Sequence, residues 1–387
     1  MRDLLARGGH EVVPFALAYG RNEPTPDVQY FPPPPVDENY VLYSDRRLGA
    51  REKVRLAARV IRDPAVYQAT QRVLRERKID VVYALQIAHY LYPDLILAAR
   101  DIGVPVVMRL SDFQMVCPAY NCLRDGRPCF DCRRSLMPGL IHRCLKKSVA
   151  VSATRVAAMI YARAKGAPQS VARYLSPSRF LIDTMASAGF ARSRLARVPT
   201  PIALPADPGP PPQDGPLLYV GALNEAKGVR VALDAVRGAG RRLLLAGDPD
   251  TPEARTLREY ARDIPEAEFV GFATGEKLEA LYARARAVLV PSIWWENVPH
   301  AALEAMARRR PVLASAHGSL PEIVDHEETG LLFAPGDAPA LREAILRLDE
   351  PGLADRLGQA GRAFIAREHD PDEHLRRLEG ILREVLE

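Results

Sequence analysis

The chain has 387 residues, 48% hydrophobic and 26% charged, with a formal net charge of +5. That length exceeds what one compact core holds, so two domains are expected, and the composition is that of a folded globular protein rather than a disordered or fibrous one. No run of about 18 uncharged apolar residues occurs, so no membrane-spanning helix is expected. The opening MRDLLARGGHEV, with acidic Asp3 and no apolar stretch, does not read as a signal peptide, which makes the cytoplasm the expected location.

From the N-terminus, GHEVVPFAL (9–17) reads as a helix stop followed by a strand. KIDVVYAL (78–85) and VPVVMRL (104–110) are further short β-branched runs, each preceded by a helical pattern. Alternation of strand and helix argues for a parallel sheet. All five cysteines, Cys117, Cys122, Cys129, Cys132 and Cys144, then fall within 28 residues. Residues 1–200 hold 31 Lys and Arg against 17 Asp and Glu, a balance of +14; the remainder holds 22 against 31, a balance of −9. The bias is densest between Asp131 and Asp183, which encloses ten basic residues and no acid. A solvated face and attraction to an anionic membrane surface are both open readings of that run; each basic residue near such a surface contributes about 1 kcal/mol. Without an aromatic platform or a recognised motif, nucleic acid is disfavoured as a partner.

Residues 199–216, PTPIALPADPGPPPQDGP, carry eight prolines and no helical period. They read as a stiff extended connector between an N-terminal domain (1–198) and a second domain (217–368). Within the second domain, RARAVLVPS reads as a strand ending in a turn, and Pro299 suits the first turn of a helix running from His300 to Arg310. Three arginines are expected in that helix's last turn, favourable to its dipole, and PVLAS is the next strand. Strand, loop, helix, strand places Glu296 in a loop at a strand's carboxyl end and Glu304 on the following helix. In open α/β sheets that edge binds ligands, and a helix N-terminus there suits a diphosphate. The final stretch, PDEHLRRLEGILREVLE, has leucines at helical spacing.

Glu296 and Glu304 stand in an E-x7-E spacing that resembles the signature of retaining glycosyltransferases of family 4. The spacing alone is weak evidence, but four more segments resemble that family in order. They are LLYVGALNEAKGVRVALDAV (217–236), LLLAGDPD (243–250), FVGFATGEKLEALYARARAVLVPS (269–292) and GSLPEIVDHEETGLLFAPGD (318–337). The resemblance implies a GT-B fold, two Rossmann-like domains facing each other across a donor cleft. It implies that RYLSPSRFLIDTMASAGF (173–190) forms the last strand and helix of the N-terminal domain, and that the last helix (369–387) returns to that domain. A strand and a glycine-rich loop would precede the first helix in such a family. The chain opens inside that helix, so the N-terminal domain is expected to lack its first strand.

The resemblance also assigns roles. Lys227 is the expected cation for the leaving diphosphate, where preorganised charge lowers the barrier most. Gly221 belongs to the same turn. Ala222 stands where the family usually carries a second cation, and Arg230 is a candidate replacement. Glu304 is expected to bind the ribose hydroxyls, and Glu296 to bind the transferred sugar and stabilise charge. Asn297, Val298, Pro299 and His300 are expected to offer backbone N–H groups, and Phe272 to flank the nucleobase. Glu322 is equally a helix-start charge or a contact. Of Trp294 and Trp295, one is expected in the core and one beside the sugar. On the acceptor side, Ser111 and Asp112 replace the family's His-Asp pair, and His89 lies in another strand-end loop. No cofactor or divalent ion is required for the transfer.

Cys117, Cys129, Cys132 and Cys144 give C-x11-C-x2-C-x11-C, half of the usual zinc signature. A structural zinc site and reduced packed cysteines are the two main readings, with a disulfide or iron–sulfur centre behind them. The functional expectation is transfer of a sugar from a nucleotide sugar to a glycan or lipid-linked acceptor, with retention, in cell-surface polysaccharide synthesis. The alternatives are an inactive GT-B donor-binding or scaffold protein, favoured by Ala222 and Ser111, and a GT-B epimerase.

Overall fold

The computed structural model describes residues 1–20, 22–35, 49–87 and 90–387. In the N-terminal half, strands β1 (Val82–Leu85), β2 (Val106–Arg109), β3 (Arg173–Ser176) and β4 (Leu195–Arg197) form one parallel sheet in that order. Parallel neighbours need crossovers, and helices Asp94–Ile102, Val149–Ala164 and Arg179–Ser187 supply them. Ser148 and Ser178 start the last two helices, their hydroxyls accepting from the N–H of Val151 and Leu181. The run 9–17 is a correction to the reading above: it is not a strand. Pro14 removes a ladder donor from its middle, and the N–H groups of His10 and of Ala18, just past the run, go to the Leu5 and Pro32 carbonyls instead.

The C-terminal half holds β5 (Leu217–Val220), β6 (Leu243–Ala246), β7 (Ala267–Gly271), β8 (Ala287–Val290), β9 (Val312–Ser315) and β10 (Gly330–Phe333). Their spatial order is β10-β9-β8-β5-β6-β7, all parallel. Leu217, Leu243, Leu289 and Leu313 face one apolar layer, while Leu218, Leu244, Val288 and Val312 face the other. Burial on both faces explains why these strands read as continuous apolar runs. The chain order reverses between β5 and β8, which makes the carboxyl ends of those two strands the topological switch point of the sheet.

The Pro-rich connector lies against the second domain, its carbonyls taken by arginines: Arg362 reaches Pro205 and Arg310 reaches Gly209. Helix Leu353–Glu368 packs on the second domain; helix Pro371–Leu386 crosses to the first, where Leu378 and Leu382 join Leu5, Val107, Leu175 and Val198. Two buried histidines stitch the crossing. His369 Nδ1–H donates to the Thr200 carbonyl and His374 Nδ1–H to the Pro199 carbonyl, each at 2.7 Å.

Burial holds the imidazoles of His317, His369 and His374 below their ordinary pKa. As pH falls through 6.5 the unfolded chain therefore binds more protons than the folded one, and stability is lost. Asp94, pushed up to about 6 by burial, acts in the opposite sense below that pH. The thermal midpoint is expected to fall from pH 7.5 to 6.0, and His374→Gln to flatten that slope; a scan of unfolding temperature against pH checks both.

Candidate active site

The site is built where the loops after β5 and β8 meet. Gly228 has φ +70°, and a Cβ on it would lie 1.8 Å from the Pro291 carbonyl oxygen, so the two backbones touch in a way only glycine permits. The Ala226 carbonyl accepts from the N–H of both Ile293 and Trp294, at 2.9 and 3.1 Å. This contact brings Lys227 to Glu296: Nζ donates to Oε1 at 2.7 Å. The Ser292 hydroxyl donates to the same oxygen at 2.6 Å. Glu296 is only 5% exposed, so the ammonium offsets a carboxylate that burial alone would disfavour. The Lys227 ammonium also lies 4.4 Å from the centre of the Trp294 ring. From the loop after β9, the Ser319 N–H donates to the Glu296 carbonyl, and Gly318 packs against the Glu296 backbone.

Eight residues on, Glu304 projects from helix His300–Ala307 and accepts from the buried Tyr282 hydroxyl at 2.9 Å. Pro299 is the residue preceding that helix, and His300 opens it, exposed. Having no N–H, Pro299 offers only its conformation, which corrects the expectation that it donates. The arginines are also corrected. The helix ends at Ala307, and Arg308, Arg309 and Arg310 lie beyond it as ties to Glu279, Asp355 and the carbonyls of Tyr282 and Ala283. Gly221 ends β5 against Gly247, whose Cβ would lie 2.2 Å from the Gly221 carbonyl oxygen. Phe272, after β7, is 68% exposed. Arg230 donates to one Glu225 carboxylate oxygen at 2.9 and 2.6 Å and lies over the Tyr260 ring.

Three side chains, two from this loop and one from the segment after β9, reach the other domain. Asn297 Oδ1 accepts from the Ser178 hydroxyl at 2.7 Å, and its Nδ2 donates to the Leu110 carbonyl at 3.1 Å. Glu322 accepts the N–H groups of Arg179 and Phe180 at 2.7 and 2.6 Å, capping a helix that belongs to the first domain. Trp295 packs beside Phe130 and Phe180, with His317 on it as well. The bridging roles of Asn297 and Glu322 join residues 119 and 143 positions apart, and no spacing in the sequence announces them. Trp295 is thus the domain-contact tryptophan and Trp294 the one beside the charged pair.

Ser111 and Asp112, the residues expected to face an acceptor, follow β2 and are half-buried. Asp112 accepts the Gln114 N–H at 2.9 Å, and burial raises its pKa. His89 lies outside the described residues. All five cysteines are free and line one small cavity of about 20 Å³. Among the described residues no group of three or more His, Cys, Asp or Glu is arranged to hold a metal. A hydrogen bond from Cys122 lowers the Cys117 thiol to about 7, while burial pushes Cys129 and Cys144 up and Cys132 up to about 12.

Two domains, each a parallel sheet with crossover helices, make the GT-B fold, and the charged pair lies at the switch point of the second domain's sheet. Residues 215–350 match the family model described as Glycosyl transferases group 1. The amylovoran biosynthesis glycosyltransferase AmsK of Erwinia amylovora is 31% identical over 182 residues, 44% of each chain. The chain thus spans less than half the length of that curated relative. Among solved structures, sucrose-phosphate synthase from Thermosynechococcus elongatus superposes with TM-score 0.67 at 20% identity, covering 98% of this chain and 90% of the other. Anabaena Alr3699/HepE in complex with UDP and glucose gives TM-score 0.63 at 16% identity, covering 83% and 82%.

If Lys227 and Glu296 satisfy one another, their effects on stability are non-additive. A double-mutant cycle of Lys227→Met and Glu296→Gln, read by chemical denaturation, is expected to give a coupling of about 0.5–3 kcal/mol.

Proposed function

We propose that this chain is a retaining glycosyltransferase that moves a sugar from a nucleotide sugar to a glycan or lipid-linked acceptor in cell-surface polysaccharide synthesis. The observation that carries the reading is the pairing of half-buried Lys227 with buried Glu296 where the β5 and β8 loops meet. A donor diphosphate beside Lys227 would meet a cation as the glycosidic bond breaks and charge builds on the leaving phosphate. The first turn of helix His300–Ala307 adds N–H groups outside the helical bonding pattern. Glu304, oriented by Tyr282, accepts from the ribose hydroxyls. Glu296 holds the sugar while the acceptor hydroxyl enters from the leaving-group side and a phosphate oxygen takes its proton. Ser111 and Asp112 face the acceptor. No divalent ion is required in this scheme. The AmsK name supports the polysaccharide context, and the HepE complex supports a nucleotide donor.

The acceptor side would sit at an anionic membrane surface. No described helix is long and apolar enough to cross a membrane. Yet Ile141 and Val149 are more than half exposed among Arg143, Lys146 and Lys147. The neighbouring helix Ala50–Ile61 presents exposed Val54 with Arg51 and Arg55. Arg155 does not share this surface; it is buried.

Donor binding is tested by thermal shift against UDP-, GDP-, ADP- and dTDP-sugars. One nucleotide class at 100 times its dissociation constant is expected to add about 2.7 kcal/mol, an effect lost in Glu304→Ala. Lys227→Ala is expected to lower turnover by roughly 100- to 1000-fold, and NMR of the first-formed product to show the donor's anomeric configuration. Donor binding without turnover would instead favour the scaffold reading, and an inverted anomer would refute retention. Flotation with phosphatidylglycerol vesicles is expected to carry the protein at low salt and release it at about 1 M, where screening is short-ranged; equal recovery with phosphatidylcholine vesicles would argue against the anionic surface.

A further inference from the structure

Lys227 is held at the candidate site by more than its ion pair. A lysine ammonium sits on a flexible four-carbon stem and carries three donors. The backbone beneath it is fixed: the Lys227 N–H donates to Asn224 Oδ1 at 2.9 Å, and Gly228 follows with its φ of +70°. That leaves the stem free to swing. Among the described residues one ammonium donor is taken, by Glu296 Oε1 at 2.7 Å. The side chain stays 24% exposed, so an anion can approach the remaining donors from solvent.

Trp294 supplies the second hold. Its backbone N–H donates to the Ala226 carbonyl at 3.1 Å. Ala226 immediately precedes Lys227, so the ring and the ammonium rise from two backbones bonded to each other. The ring centre lies 4.4 Å from Lys227 Nζ, inside the roughly 6 Å reach of a cation–π contact. A buried tryptophan is usually placed in part by a hydrogen bond from its indole N–H. Among the described residues the buried Trp294 Nε1 has no acceptor, so its face is what the ring offers this site.

The two holds respond differently to an incoming anion. A diphosphate competes with Glu296 for the ammonium and repels the Glu296 carboxylate. The indole ring carries no net charge and attracts the ammonium through its quadrupole, so the anion does not drive it away. The hold that survives is that of Trp294.

We propose that Trp294 is a positioning residue: its ring keeps the Lys227 ammonium in place while a donor's diphosphate takes over from Glu296, and so sets the affinity for the diphosphate. This rests on the donor reading given above. Loss of the contact is expected to weaken diphosphate binding by about 2- to 30-fold.

The test places mono-, di- and trifluorinated tryptophan at position 294 of the full chain, which drains the negative face of the ring stepwise with little change in shape. Urea midpoints are read with Lys227 present and in Lys227→Met. Affinities for UDP, GDP, ADP and dTDP are read by titration calorimetry. Stability should fall stepwise with fluorination when Lys227 is present and stay level in Lys227→Met. The affinity of whichever nucleoside diphosphate binds should fall in the same order, with Trp294→Leu the weakest; if that variant does not fold, the fluorinated series decides. A stability series that is flat, or equally steep without the ammonium, would overturn the proposal. So would a nucleoside diphosphate whose affinity stays constant or rises along the series. A stepwise stability series with no binding of any of the four nucleotides would overturn the donor reading, and with it the diphosphate role of Trp294, while its hold on Lys227 stands.

Discussion

A single backbone contact organises the second domain's site: the turn after β5 pressed against the loop after β8, with no side chain between Gly228 and the Pro291 carbonyl. Because strand order reverses between these two strands, their loops diverge elsewhere in such sheets and leave a crevice. Here the crevice is closed at its base by two hydrogen bonds to one carbonyl, that of Ala226. Everything charged at the site rests on that closure. A buried carboxylate needs a cation and hydrogen-bond donors, and the contact delivers both to Glu296 through Lys227 and Ser292.

The same loop is also where the two domains meet. Asn297 reaches a hydroxyl and a carbonyl of the first domain, Trp295 enters its aromatic cluster, and Glu322, one loop further on, caps one of its helices. The residues proposed to grip the donor are therefore flanked by residues that set the domain arrangement. Any change in that arrangement bears directly on the backbone of Glu296. The opposite charge balances of the two halves act in the same direction at long range, though salt screens such attraction beyond about 8–10 Å.

The parts of this architecture that could be read in advance share a physical cause. Strands buried on both faces must be apolar throughout, so β5, β6, β8 and β9 stand out as LLYV, LLLA, AVLV and VLAS. Prolines interrupt regular structure wherever they cluster, so the connector is visible too. Misreadings arose where a local pattern competes with a distant partner. The run 9–17 has strand composition but carries Pro14 in its middle. Arg308, Arg309 and Arg310 look like a helix end suited to its dipole; instead they leave the helix for Glu279, Asp355 and buried carbonyls.

The sequence by itself determined the alternation of strand and helix and the lack of helix or strand over 199–216, because periodicity and proline content are local properties of a chain. It named Lys227 and Glu296 separately, 69 positions apart, without joining them. Only the tertiary structure decided that they pair, that Asn297 and Glu322 bridge domains, that Trp295 rather than Trp294 lies at the domain contact, and that five cysteines share a cavity. These are facts of distance between segments remote in sequence, set by how two sheets and their loops pack, and no local pattern encodes them.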